Sequence, residues 1–270
     1  MDRKAMARET VDITDQGYYV LAEGKKVSVT TSHSILITPP DGEEILEKFV
    51  SRLGEGGNQG PREAALENIS TVDAVRKLAA RGRENIGVLN FASAKNPGGG
   101  FLNGAMAQEE SLAASSTLYR TQTIQEEYYR ANRACKSMMY TDYGIYSPDV
   151  IFFRDGDFCL VPPVKASVLT LPAVNMGQVI QKGEDRAEAE RVMRRRMKLA
   201  LAIFADQGAK NLVLGAYGCG VFRNDPRLIA AWWKELMEEG WGNWFESVFY
   251  AVLDHSKGRA CIKAFQSVMG

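Results

Sequence analysis

The sequence predicts a three-layer α/β domain around a largely parallel sheet. From about residue 70 onward, segments with helical spacing alternate with short apolar runs, the pattern of repeated strand–helix units. Two glycine-rich segments directly follow such runs, at the carboxyl ends of predicted strands, where open α/β sheets bind ligands. The first 65 residues do not follow the alternation. They read as an N-terminal extension, residues 1–65, packed on a single domain of residues 66–270.

The elements are expected in this order. Asp2 to Val11 predicts a short helix, and Tyr18–Leu21 with Val27–Thr30 a hairpin joined through Glu23-Gly24. His33–Thr38 is a strand stopped by Pro39-Pro40-Asp41-Gly42; Glu43–Leu53 has helical spacing, and Gly54–Pro61 is a glycine-rich loop. Ser70-Thr71 precede a helix over Val72–Arg81. Ile86–Phe91 is a buried strand, followed by the loop Asn96–Gly104 and a helix opening near Gln108. The stretch Tyr140–Pro163 carries no pattern that selects an element. Val168–Val174 is a strand ending in Asn175-Met176-Gly177, and Asp185–Gln207 is a long helix rich in Arg and Ala. Asn211–Leu214 is a strand ending in the second loop, Gly215–Gly220; a helix over Pro226–Glu239, a strand over Ser247–Leu253 and a closing helix over Gly258–Val268 complete the chain.

Composition narrows the function. The 270 residues hold 33 Lys+Arg and 33 Asp+Glu, so the chain lacks the basic field that drives nucleic-acid binding, and no direct DNA binding is expected. An anionic polymer would have to be gripped locally, in a pocket. Cys135, Cys159, Cys219 and Cys261 form no CxxC pair, with only His33 and His255 to join them, so no structural zinc site is expected and the thiols read as reduced and mostly buried. No apolar run reaches the roughly 20 residues that span a bilayer. The opening MDRKAMARETV has no apolar core of a signal peptide. No membrane association and a cytoplasmic location are therefore expected, with no signal pointing to the nucleus or away from it. Arg191 and Arg194–Arg196 read as a solvated helix face, Trp232, Trp233, Trp241 and Trp244 as core or lid packing, and His255 receives no role.

Two loops carry chemistry. The first is Asn96-Pro97-Gly98-Gly99-Gly100, followed after seven residues by Gln108-Glu109-Glu110. Three glycines remove every Cβ from a short path, so backbone N–H groups can approach a ligand closely. A helix starting near Gln108 adds its positive end. The bland alternative is that Glu109 and Glu110 only complement the helix dipole, a role that needs no triple glycine upstream. The second loop is Gly215-Ala216-Tyr217-Gly218-Cys219-Gly220-Val221-Phe222. It lacks both the G-x-G-x-x-G order and a Gly-Lys-Ser/Thr, so it is neither a dinucleotide fingerprint nor a P-loop. Its glycines suit a concave row of donors for a diphosphate, with Phe222 able to stack on a sugar or base. A plain tight turn and ordinary core packing are the alternatives.

Gly98-Gly99-Gly100 followed by Gln108-Glu109-Glu110 resembles the signature of poly(ADP-ribose) glycohydrolases. The longer stretches Val88–Gly100 and Gln108–Ala113 are similar to the shorter, bacterial-type branch, as are Gly215–Phe222, Leu171–Asn175 and Ala7–Thr10. The resemblance implies a macrodomain-like fold, a three-layer α/β/α sandwich with a mixed, largely parallel sheet that holds ADP-ribose in a cleft, and cleavage of the ribose–ribose bond of poly(ADP-ribose). It implies Glu110 as the catalytic residue and Glu109 as the holder of ribose hydroxyls. It also implies that Gly98, Gly99 and Gly100, with Asn96 and Gln108 beside them, lie against the distal ribose and phosphates. By the same resemblance, Gly218, Cys219, Gly220 and Val221 wrap the diphosphate, and Phe222 packs on ribose. Poly(ADP-ribose) or ADP-ribosylated protein is the implied partner, ADP-ribose the product, and no cofactor or metal is required. Cleavage from the chain end is the implied mode, with the N-terminal extension as cover.

The residues suit this chemistry. Glycosidases usually flank the bond with two carboxylates, but consecutive helical side chains point about 100° apart. Glu109 and Glu110 are therefore not expected to flank one anomeric carbon, and a single acid/base is the simpler scheme. A helix start favours an ionised carboxylate, whereas a general acid must carry a proton; the substrate's diphosphate brings like charge that favours protonation. Two rivals remain from sequence: a hydrolase of mono-ADP-ribosylated protein, and a non-catalytic ADP-ribose reader, which needs no carboxylate pair after the glycine loop.

Overall fold

The computed structural model of the chain describes residues 2–30, 33–54 and 60–270. It opens with helix α1 (Arg3–Gln16), the hairpin β1 (Tyr18–Val20) and β2 (Lys26–Ser28), strand β3 (Ile35–Ile37) and helix α2 (Pro39–Val50). Then come β4 (Glu63–Glu67), α3 (Thr71–Ala80), β5 (Ile86–Ala92), α4 (Gln108–Ser115), α5 (Leu118–Thr123) and α6 (Glu126–Ala134). A long antiparallel pair, β6 (Gly144–Arg154) and β7 (Leu160–Pro172), leads to α7 (Met176–Lys182) and α8 (Arg186–Asp206). The chain closes with β8 (Asn211–Leu214), α9 (Pro226–Glu238), β9 (Ser247–Ala251) and α10 (Ala260–Met269).

The main sheet has seven strands in the order β3-β6-β7-β5-β8-β9-β4. From β7 to β4 every neighbouring pair is parallel, and β6 is antiparallel to both β3 and β7. The layers follow from the period of two along a strand. Leu89, Leu169, Leu212, Leu214, Val248 and Tyr250 point to one face, where they pack with α2, α7, α8, α9 and α10. Their neighbours Val88, Val168, Val213 and Phe249 point to the other, under α3, α4 and α5. This is the α/β/α sandwich with a mixed, largely parallel sheet. The boundary drawn at residue 65 falls within β4, and β3 and β4 form the two edges of the sheet.

Several elements depart from expectation for local reasons. Pro39-Pro40 opens α2 instead of stopping the chain: Thr38 caps the helix, its hydroxyl accepting the Asp41 amide while Asp41 accepts the Thr38 amide. Helix α1 runs five residues beyond Val11 and ends at Gly17 in the left-handed region. β4 and α7 had no sequence expectation. Of the expected loop Gly54–Pro61, residues 55–59 lie outside the described residues. The four tryptophans join the core, with Trp233 and Trp241 wholly buried. The basic face on α8 is not uniformly solvated: Arg196 is only 1% exposed. Nor are the thiols mostly buried, since Cys159 is exposed and Cys135, Cys219 and Cys261 are half-buried. No helix among the described residues is long and apolar enough to cross a membrane.

Candidate active site

Both glycine-rich loops leave the carboxyl ends of adjacent strands, the first from β5 and the second from β8. They meet through Phe91 and Tyr217, whose ring centroids are 5.6 Å apart. A substrate lying across these strand ends reaches both loops at once.

Helix α4 starts at Gln108, so the two glutamates occupy its first turn. Glu110 reaches back over the helix start, its Oε2 accepting the Ala107 amide at 3.0 Å and its Oε1 the Gly100 amide at 2.9 Å. It remains half-buried. Glu109 points inward and is 3% exposed. Its Oε1 accepts from Asn90 Nδ2 at 3.2 Å and Gln122 Nε2 at 2.8 Å, and its Oε2 from the Ser93 amide at 2.6 Å. Burial pushes the Glu109 carboxyl up to about 7, against the opposing pull of these three hydrogen bonds, with the like charge of Glu110 adding to the rise.

The triple glycine does something different from what its sequence suggests. Its N–H groups are spent inside the chain: Gly98 donates to Gln122 Oε1 at 3.0 Å, Gly99 to the Asn96 carbonyl at 3.0 Å, and Gly100 to Glu110. The loop is thus a frame for carboxylates rather than a donor row for phosphate. Gly98 and Gly99 both hold φ near +60°, a conformation that costs little only for glycine. A Cβ on Gly99 would lie 2.5 Å from Glu110 Oε1 and 3.2 Å from Glu109 Oε2. Both carboxylates therefore converge on the same bare stretch of backbone, although they leave the helix on different bearings.

The second loop has the opposite economy. Among the described residues, the amides of Gly218, Gly220, Val221 and Phe222 make no hydrogen bond within the chain. Three of them are consecutive, a arrangement that suits oxygen atoms of a diphosphate. The frame behind them is firm. Tyr217 donates its hydroxyl to the Leu171 carbonyl at 3.0 Å, and Trp233 Nε1 donates to the Gly215 carbonyl at 3.0 Å. Asn224 Nδ2 donates to the carbonyls of Val174 and Gly218 at 2.8 and 3.1 Å. Cys219 is half-buried, packed against the core beside this turn. Val221 is 83% exposed, and Phe222 sits half-buried with its ring centroid 6.0 Å from that of Tyr140.

Two expected site residues stand apart. The Gln108 side chain is used up by the strand beneath it, accepting the Phe91 amide at 2.9 Å and donating to the Leu89 carbonyl at 2.9 Å and Thr71 Oγ1 at 3.3 Å. It fastens α4 to β5 instead of facing a ligand. Asn96 is exposed and serves the loop through its backbone. Sequence reasoning missed Asn90, Thr170, Gln122, Ser93 and Tyr140. Asn90 and Thr170 had a signal: each takes an inward place two residues after a buried valine, where an apolar side chain is expected, and they pair in register across β5 and β7. Gln122 had none. Among the described residues no group of three or more His, Cys, Asp or Glu side chains is placed to hold a metal.

The chain resembles known proteins along most of its length. Residues 7–155 match the family described as the microbial-type PARG catalytic domain. The poly(ADP-ribose) glycohydrolase of Thermomonospora curvata, bound to the inhibitor ADP-HPD, is 34% identical and superposes with a TM-score of 0.89, covering 98% of each chain. The poly(ADP-ribose) glycohydrolase of Deinococcus radiodurans, in complex with ADP-ribose, is 39% identical with a TM-score of 0.80, covering 87% of this chain and 94% of the other. Comparison with curated proteins gave no match.

Proposed function

The chain belongs to the microbial-type poly(ADP-ribose) glycohydrolases, and from that premise we propose how its residues divide the reaction. It is a glycosidase that hydrolyses poly(ADP-ribose) and releases ADP-ribose. Glu110 is the general acid and then the general base. The observation that carries this is the placement of its half-buried carboxylate, held by the amides of Gly100 and Ala107 against the bare backbone of Gly99.

In the first step Glu110 gives its proton to the departing ribose oxygen as the glycosidic C–O bond breaks and positive charge grows on the other ribose. In the second, a water attacks that anomeric carbon and returns its proton to Glu110. Glu109 accepts hydroxyls of the same ribose, since its Oε2 has a single donor, the Ser93 amide. The row of amides from Gly220 to Phe222, with that of Gly218, receives the diphosphate, whose negative charge helps to stabilise the cationic ribose. Phe222, supported by Tyr140, packs on the sugar. One C–O bond breaks, one forms with water, and the protons pass through Glu110, so the scheme calls on no metal or cofactor.

Cleavage from the chain end is part of the reading. Helix α1 supports it by packing Met6 and Ala7 against Phe101, Ala113 and Ala114, which walls the outer side of the first loop. Early digests should then contain ADP-ribose without long oligomers.

One observation favours a second reading. A carboxyl raised to about 7 carries a proton near neutrality, so Glu109 qualifies as an acid by charge state. The three hydrogen bonds donated to it favour its ionised form, and so the acceptor role, instead. The deciding experiment pairs Glu110→Gln with an ADP-ribose binding assay: turnover should collapse while binding persists. Near-normal turnover would overturn the assignment of Glu110.

A further inference from the structure

Beneath the two carboxylates lies a closed ring of buried hydrogen bonds that the reaction scheme leaves unused. Gln122, on α5, is wholly buried, as are Asn90 and Thr170. Gln122 Oε1 accepts the Gly98 amide at 3.0 Å, while its Nε2 donates to Glu109 Oε1 at 2.8 Å and to Thr170 Oγ1 at 3.3 Å. Asn90 Nδ2 donates to the same two oxygens, at 3.2 and 3.1 Å. The site offers Gln122 one donor and two acceptors, the set that a carboxamide satisfies and that Met, Leu or an ionised Glu does not.

The connectivity gives this ring a consequence for the reaction. Gly98 is followed by Gly99, whose missing side chain leaves room for both carboxylates, and by Gly100, whose amide holds Glu110. Among the described residues, Gln122 is the one side chain that hydrogen-bonds both the triple glycine and Glu109. A shift of Glu109 is thus passed through Gln122 to the loop that holds Glu110. We propose that Gln122 is a positioning residue for the glycohydrolase reaction: its amide ties the buried Glu109 carboxylate to the triple-glycine loop and so fixes the spacing at which Glu109 and Glu110 meet the ribose. The proposal rests on the ribose-binding and acid–base roles given above to these two glutamates.

The surroundings of Glu109 make the effect readable by pH. The titratable groups facing it are Glu110 on its own helix and Tyr128 and Tyr129 on α6; β5 and β7 contribute the neutral Asn90 and Thr170. The hydrogen bond from Gln122 favours the ionised form of Glu109, so its loss moves the Glu109 titration further upward.

The test uses the full chain carrying Gln122→Met or Gln122→Glu, with and without Glu109→Gln, assayed on poly(ADP-ribose). Gln122→Met should unfold cooperatively, lower kcat by about 10- to 100-fold with KM changed by less than about threefold, and move the acidic limb of kcat/KM to higher pH. In the Glu109→Gln background the same substitution should cost less than about threefold more, because residues acting as a unit are not additive. Wild-type kcat in Gln122→Met, or an equal fold loss in both backgrounds, would show a packing role alone and overturn the proposal. Gln122→Glu decides the matter if Gln122→Met fails to fold. When protonated, the introduced carboxyl again offers one donor and one acceptor, so activity relative to wild type should rise as pH falls; a flat ratio overturns the proposal. Full turnover in Glu109→Gln alone would instead remove the role of Glu109, and the proposal with it.

Discussion

Gly100 donates its amide hydrogen to Glu110 Oε1 at 2.9 Å, so the last of three glycines holds the carboxylate that follows it by ten residues. This bond explains a sequence spacing. The turn over Phe101–Asn103 and the segment to Ala107 bring the chain back until the first turn of α4 faces the loop it has just left.

Gly99→Ala tests that closure. The residue sits at φ +59°, and its new Cβ would press on Glu110 Oε1 at 2.5 Å. Either the carboxylate turns away or the loop lifts. A misplacement of about 1 Å can cost on the order of 100-fold in rate, and kcat should fall by that order while the fold persists. The measurement is steady-state turnover beside a thermal melt, and retention of more than about half the activity would show that Glu110 has latitude there.

The pH dependence of kcat/KM separates the two carboxylates. That ratio reports groups of the free enzyme, and burial sets Glu109 at about 7. As an acceptor of ribose hydroxyls Glu109 must be ionised, so kcat/KM should fall as pH drops through about 7, where the carboxyl takes up its proton. The opposite sign, a fall as pH rises through the same value, would identify Glu109 as the proton donor. Glu109→Gln should remove the limb in either case.

The second loop is tested by Gly218→Ala. Gly218 holds φ +72°, and a Cβ there would lie 2.5 Å from Asn224 Nδ2 and 2.7 Å from the Ala173 Cβ. The substitution breaks the frame that presents the amides of Gly220, Val221 and Phe222. ADP-ribose affinity should drop by about 10-fold or more, the loss of one or two charge-assisted hydrogen bonds. Calorimetry with ADP-ribose measures it. Free ribose-5-phosphate, which lacks the diphosphate, supplies the control: equal losses for both ligands would place the diphosphate elsewhere.

Much of this was legible in the sequence, and the rest was hidden for identifiable reasons. The buried strands β5, β8 and β9 and the helix α8 show themselves by period and length. Strand β6 and the first half of β7 do not, because Pro148, Pro162 and Pro163 punctuate them. Between Ser147 and Val150 the register shifts, with Asp149 at φ +50°, so a strand that reads as broken is continuous across an irregularity. β4, with the sequence Glu-Ala-Ala-Leu-Glu, has the composition of a helix and is a strand only because β9 lies beside it. At the site, Glu109 and Glu110 are visible from their spacing to the glycines, but their unequal burial is not. That inequality comes from Asn90, Thr170 and Gln122, which three separate elements bring together and which no local pattern announces.

Arg196 gives the last prediction. The sequence places it in a basic run, yet its guanidinium is buried and bonded on all sides but one. Its Nη1 donates to the carbonyls of Met139 and Pro172 at 2.7 and 3.0 Å, and its Nε to Asp142 Oδ1 at 2.9 Å. It therefore clamps residues 139–142 to the carboxyl end of β7. That segment carries Tyr140, held at φ +58° with its ring toward Phe222. Arg196→Met keeps the aliphatic bulk and removes the donors. Asp142 retains Arg195 as a partner, so the cost is two orphaned carbonyls and a weakened carboxylate, on the order of 3 kcal/mol. Urea unfolding should show a lower midpoint with an unchanged slope, and ADP-ribose should bind more weakly as Tyr140 loses its hold beside Phe222. A loss under about 1 kcal/mol would mean that the carbonyls find water instead and that the clamp contributes little.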